Sequence, residues 1–245
     1  MRESIVWFQA VLKGDRGALR PSPVRLFVMG ADEWREYPSF PPDGIRIERW
    51  HLLPDGGLGT RTPEPSEPDR YTYNPEDPTP SVGGTMLGPD AGPKDNQPIL
   101  GRSDILVYTS PPLERDVEAI GPVSAELFVE SSREDTDFFV RLCDTAPSGK
   151  TLNVCDGIVR LRAGAPPRDE RGRRQVRIEL WPTAFRFKKG HRIRVLVASG
   201  AHPRFCRNPG SDEPLATATT LLVSNQAVHH SPECPSAILL PISGT

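Results

Sequence analysis

Residues 174–180 read RQVRIEL. Val176, Ile178 and Leu180 alternate with Gln175, Arg177 and Glu179, the period of a strand with one face buried and the other wet. The pattern returns in SAELFVES (124–131), with Ala125, Leu127 and Val129 inward, and in HRIRVLVAS (191–199), with Ile193, Val195 and Val197 inward. DTDFFVRLCD (135–144), NVCDGIVRLR (153–162) and SAILLPI (236–242) add strands, as do PVRLFVMG (23–30) and GIRIERWHLLP (44–54). A parallel α/β fold needs a helix after each strand, and none is available between these. The pattern therefore predicts an all-β antiparallel sandwich with long connections, a jelly roll or Greek key.

Outside the strands, Ile5, Phe8 and Leu12 recur at helical spacing, with Val6 and Val11 widening the stripe and Gly14 as a stop. A lone helix of this length is marginal in water and needs a surface to pack on. Residues 54–103 are rich in Pro and Gly. Tyr71, Tyr73, Met86, Leu87 and Ile99 are anchors that a solvated linker would not require, so this stretch reads as an ordered, irregular crossover.

The 28 prolines in 245 residues are about twice ordinary usage, which fits short strands joined by long loops. With 30 Lys+Arg against 32 Asp+Glu, no overall field attracts nucleic acid or an anionic membrane. No apolar run approaches the ~18 residues of a spanning helix. The first residues carry no signal-peptide pattern. Cys143, Cys155, Cys206 and Cys234 read as buried thiols. With Ser148 and Gly149 at the centre of the turn between them, Cys143 pairs with Val154, and a Cys143–Cys155 bridge would need a bulge.

Chemistry is harder to find. Ser199 follows a strand, but no G-x-S-x-G turn exists and no helix follows to supply oxyanion donors. His51, His191, His202, His229 and His230 lack metal-ligand spacing, and neither a metal nor a cofactor is expected. Asp135 and Asp137 lack a regular calcium loop and read as backbone-bonding loop acids. Arg171, Arg173 and Arg174 have no interleaved aromatics and read as a solvated hairpin tip.

Five stretches carry a family resemblance: VRLFVMGADEWREYPSFPP, YTYNPEDPTPSVGG, residues 104–162, FKKGHRIRVLVASGAHPRFCRNPG and HHSPECPSAILLPI. Together they resemble the C-terminal domain of the CocE/NonD serine hydrolases, bacterial esterases and acylases akin to the X-Pro dipeptidyl-peptidases. The resemblance runs from about residue 5 to residue 242. It implies a jelly-roll β-sandwich similar to galactose-binding modules, packed on an α/β-hydrolase domain that holds the catalytic Ser, Asp and His. Residues 1–17 then match the last helix of that hydrolase domain and residues 18–245 the jelly roll, so no catalytic residue carries over. The family often reads SSSNFPRFDRN where this chain has ASGAHPRFCRN. Ser199 is kept while His202 and Cys206 replace other types, which argues against covalent chemistry there; Arg204 and Asn208 are expected to bond backbone.

The resemblance implies a non-catalytic domain that shapes the cleft of a hydrolase acting on ester or X-Pro amide bonds. The segment approaching the acyl or leaving-group pocket is then Gly83, Gly84, Thr85, Met86 and Leu87, the alternative being that Met86 and Leu87 only anchor the crossover. The partner is the hydrolase domain. Nucleic acid and membrane are not partners, a homo-oligomer is compatible, and the expected location is the bacterial cytoplasm, with export of a longer parent left open. A rival reading is a free-standing carbohydrate-binding or adhesion module; such sites expose a row of aromatics, and Trp7, Trp34, Trp50 and Trp181 are widely separated. A hydrolase in its own right would turn over p-nitrophenyl esters and react with fluorophosphonates, and the sequence predicts neither.

Overall fold

The computed structural model describes residues 2–164 and 166–244. Met1 and Thr245, at the ends of the two expected segments, lie outside the described residues. Helix α1 spans Arg2–Lys13, and Gly14 ends it at φ 72°. Its stripe faces outward: Ile5, Trp7, Phe8, Val11 and Leu12 are all more than half exposed, and only Ala10 is buried.

Fourteen strands follow among the described residues. They are β1 (Val24–Val28), β2 (Glu33–Tyr37), β3 (Ile45–Leu53), β4 (Gly57–Gly59), β5 (Asp69–Tyr73), β6 (Leu106–Thr109), β7 (Val117–Ser131), β8 (Thr136–Thr145), β9 (Thr151–Leu161), β10 (Arg174–Phe187), β11 (Arg192–Ala198), β12 (Ser224–Ser231), β13 (Cys234–Pro235) and β14 (Ala237–Ser243). Strands β1 and β2 form a separate hairpin. The others form one curled sheet, ordered β13-β12-β7-β14-β3-β4-β6-β11-β8-β9, with β10 also on β7 and β5 on β12. Among the described strands the pairings are antiparallel except Gly57 with Thr109, where β4 meets β6; isolated parallel bridges join Met29 to Phe185 and Pro80 to His202. The β4–β6 seam joins the two layers of the sandwich.

The alternation read from the sequence points into the space between the layers. Ala125, Leu127 and Val129 of β7, Val176, Ile178 and Leu180 of β10, and Ile193, Val195 and Val197 of β11 share one core with Phe138, Val140 and Leu142 of β8. The layers approach closely at Gly157, where an added Cβ would lie 2.1 Å from the Glu179 carbonyl oxygen, so only glycine fits. A second cluster covers the other face of β8 and β11: Phe139, Cys143, Leu196 and Ala198 lie under Ile99 and Leu100 of the crossover. All ten residues of β8 are consequently buried.

The crossover is ordered. Tyr71 and Tyr73 are buried in β5 and Ile99 packs on the second cluster. Leu87, expected as an anchor, is instead fully exposed, and Met86 is only half-buried. The reason is that the Gly84–Gly92 backbone pair closes the chain beneath them, so residues 85–91 stand out as an arch.

Strand β2 went unread because EWREY alternates charge with aromatics and buries little. It is held by buried Glu118, whose carboxylate accepts from Arg35 at 2.8 and 2.9 Å and from Arg186 at 2.6 Å. Cys143 pairs with Asn153, not Val154, because the turn closes on Ala146 and Lys150 with three residues between them, one more than in a two-residue turn. A bulge then brings Leu142 opposite Cys155. The two thiols lie in different core clusters and are free.

Candidate functional site

Gly83 and Gly84, at φ 64° and 97°, adopt backbone that side chains rarely tolerate. The space is also closed: an added Cβ would lie 2.5 Å from the Gly92 carbonyl oxygen at Gly83 and 2.6 Å from Arg204 Nη1 at Gly84. Gly84 and Gly92 exchange two backbone hydrogen bonds of 2.9 Å, which form the foot of the arch.

Beneath that foot is a buried charge network. Arg141 of β8 and Asp156 of β9 are each only 2% exposed. Arg141 donates through Nη2 to Asp156 Oδ2 at 2.9 Å and through Nη1 to Asn96 Oδ1 at 2.6 Å and the Val82 carbonyl at 2.5 Å. Arg204 donates to Asp156 Oδ1 at 2.6 Å and, through its other nitrogen, to Thr85 Oγ1 at 2.7 Å. Asn153 Oδ1 accepts the Lys94 amide at 2.8 Å, and its Nδ2 donates to the Gly92 carbonyl. Each buried charge meets an opposite one or several dipoles, the condition under which burial of charge is tolerated. The consequence is mechanical: the arch rests on the frame of the sandwich through side chains from β8 and β9.

A cavity of about 220 Å³ lies beside the foot, lined by Met29, Thr85, Pro93, Asp156, Trp181 and Thr183 among others. Trp181 is exposed at a bulge of β10, in the register shift between Leu180 and Thr183. A bulge re-aims side chains, and here an indole stands next to the arch.

Of the five expected pocket residues, Gly84 and Thr85 lie at the rim of this cavity, Thr85 tied to Arg204, while Gly83 sits in the foot, Met86 is partly covered and Leu87 stands in solvent. What went unread was the support. Arg141 and Asp156 sit in strands that look like plain core, and only their charge within buried stretches marked them.

The remaining candidates separate from this rim. Ser199 is fully buried, with Oγ 2.9 Å from Tyr71 Oη and 3.0 Å from Gln226 Nε2, which leaves it no route to a substrate. Arg204 was expected to bond backbone and instead bonds the side chains of Asp156 and Thr85, since a buried carboxylate outcompetes a carbonyl for a guanidinium. Asn208 donates to Asp137 at 2.8 Å and accepts the Gly210 amide. Asp137 also takes Arg160 at 2.7 Å, so it is an ion-pair partner. His191 contacts Asp144 and His229 contacts Glu130. Among the described residues no three His, Cys, Asp or Glu side chains converge on a metal position. Arg171, Arg173 and Arg174 pair with Glu233, Asp169 and Glu134, which removes any basic patch.

The sequence profile of the X-Pro dipeptidyl-peptidase C-terminal non-catalytic domain matches residues 17–239. Cocaine esterase of Rhodococcus sp. (strain MB1 Bresler) is 38% identical over 255 residues, covering 96% of this chain and 44% of that protein. Among solved structures, an aminopeptidase from a marine sediment Thaumarchaeota archaeon superposes with a TM-score of 0.83 at 24% identity, over 98% of this chain and 43% of that one. An α-amino acid ester hydrolase gives 0.82 at 23%, over 96% and 43%. The structural likeness establishes the fold, and the chain spans less than half the length of each of these relatives.

Proposed function

The chain belongs to the family of X-Pro dipeptidyl-peptidase C-terminal non-catalytic domains, and from that premise we propose that it serves a serine hydrolase of the ester or X-Pro amide class by lining and steadying its substrate cleft. In this reading α1 is the last helix of the α/β-hydrolase domain, and its exposed Ile5, Trp7, Phe8, Val11 and Leu12 are covered by that domain. Five large apolar side chains on one short helix are more than a solvated helix sustains.

The observation that carries the proposal is the arch. Leu87 is held fully in solvent by a foot that is itself fixed to buried Arg141 and Asp156. An ordinary loop would leave its apolar tip free to collapse. A rigid base under an exposed leucine, a half-covered methionine and a neighbouring indole is suited to forming one apolar wall of a pocket completed by another domain. Thr85 orients the first residue of the wall through Arg204.

The test joins this chain to a family hydrolase domain and compares acetyl with benzoyl esters. A pocket wall that loses several methylenes changes discrimination by about 10- to 200-fold. Met86→Ala/Leu87→Ala should therefore shift the ratio of kcat/KM between the two esters by at least about tenfold. An unchanged ratio rejects the assignment.

A further inference from the structure

The cavity beside the foot of the arch is built from this chain alone and measures about 220 Å³. An apolar cavity of about 150 Å³ takes one benzene ring, so this one accommodates a single ring with a substituent of roughly three heavy atoms. Trp181, more than half exposed at the β10 bulge, lines it together with Pro93, Pro182 and Met29. An indole offers a face for stacking, and a thioether sulfur makes favourable contacts with aromatic rings.

Most polar groups on these walls are already committed. Asp156 spends Oδ2 on Arg141 and Oδ1 on Arg204. Asn153 is bound to the Lys94 amide and the Gly92 carbonyl. Burial holds the Cys155 thiol well above its ordinary value, so it is a neutral part of the wall. Two hydroxyls remain. Thr85 Oγ1 accepts from Arg204 at 2.7 Å, and its own hydrogen meets no acceptor among the described residues. Thr183 is 5% exposed, and its Oγ1 has no hydrogen-bond partner among the described residues. Buried side-chain hydroxyls are nearly always bonded, so an unbonded one bordering a cavity is a donor placed for a ligand.

We propose that this cavity is a binding site for one uncharged aromatic ring bearing an oxygen acceptor such as a carbonyl. The ring packs against Trp181 and Met29, and its oxygen accepts from the Thr183 hydroxyl. An anion is disfavoured because the lining includes no Lys or Arg, so a carboxylate taken out of water there would lack a counterion. A sugar is disfavoured because its many hydroxyls would find few uncommitted partners on walls that offer chiefly apolar surface. Gly84, Thr85 and Gly92 line the same cavity, so a bound ring also touches the foot of the arch. The site goes beyond the cleft wall of Met86 and Leu87 and needs no hydrolase domain, so either assignment can fail without the other.

The full 245-residue chain, isotope-labelled for NMR, is titrated with benzamide. A ligand of about nine heavy atoms binds with a Kd of about 0.1–1 mM. The expected result is saturable shifts of the Thr85, Gly92 and Thr183 amides and of the Trp181 indole. Trp181→Ala should weaken binding by about tenfold through loss of the stacking face. Thr183→Val keeps the shape without the hydroxyl and should weaken it by about fivefold. The melting temperature of Thr183→Val should be unchanged or higher, because the hydroxyl it removes is unbonded, which separates lost binding from lost folding. Absence of saturable shifts at these residues, a Kd unchanged in either variant, benzoate binding at least as tightly as benzamide, or a preference for methyl β-galactoside would each overturn the proposal.

Discussion

Asp156→Ala is the most demanding perturbation of the arch and its support. The substitution leaves the Arg141 guanidinium in a site where it is 2% exposed. It keeps Asn96 Oδ1 and the Val82 carbonyl but loses both bonds to the carboxylate, while Arg204 loses the same partner. Removing one member of a buried pair costs about 3–5 kcal/mol, because the other charge remains without its counterion. Domains are stable by about 5–15 kcal/mol, so the loss is a large share of the total. At about 2–4 °C per kcal/mol for a chain of this size, the melting temperature falls by about 6–20 °C. Urea denaturation followed by near-UV circular dichroism measures the cost, and hydrogen exchange at the Gly84, Gly92 and Asn96 amides shows whether the foot opens first. Replacing both partners, Arg141→Met with Asp156→Leu, removes the stranded charge and should recover most of the loss. A cost below about 1 kcal/mol for Asp156→Ala would refute the view that this ion pair holds the arch.

Other consequences can be checked separately. Burial favours a raised Glu118 carboxyl, yet the hydrogen bonds from Arg35 and Arg186 hold it below the ordinary glutamate value of 4.5; a depressed folded value gives stability that is full above the unfolded value and lost as pH falls through the folded one. Urea midpoints should therefore drop below about pH 4.5, and Glu118→Gln should flatten that part of the profile; an unchanged slope would contradict the clamp. Gly84→Ala combines a positive φ with a Cβ 2.6 Å from Arg204 Nη1 and should cost about 1–3 kcal/mol, read by thermal melting. Of the four thiols only Cys206 is exposed, and burial pushes Cys143 up to about 12; Ellman's reagent should titrate one thiol in the folded chain and the rest only in denaturant.

Much of the fold was legible because the strands of the sandwich carry clean alternation. Val176, Ile178 and Leu180 declared their face by spacing alone, and so did Ala125, Leu127 and Val129. The hairpin strand Glu33–Tyr37 did not, because ion pairs and the β1 partner hold it rather than burial. Leu87 misled because an apolar residue in a polar loop ordinarily marks an anchor, and nothing local shows that a backbone bridge excludes it from the core. The arch residues are proposed through family resemblance alone, while the meeting of Arg141, Asp156 and Arg204 is set by the register of β8 on β9 and by the loop after β11, which no local pattern shows. Trp181 and Thr183 lie at the register shift of β10, where the alternation that declared Val176 and Ile178 breaks off. No spacing rule carries across it.

The two-bond bridge between Gly84 and Gly92 separates what is fixed from what is free. Below it Arg141, Asp156, Asn96 and Asn153 are committed to the frame; above it residues 85–91 answer to the frame chiefly through Thr85. Such a lobe behaves as an interchangeable cassette, whose length and composition can drift without disturbing the scaffold, so that new selectivity can evolve there while folding is left alone.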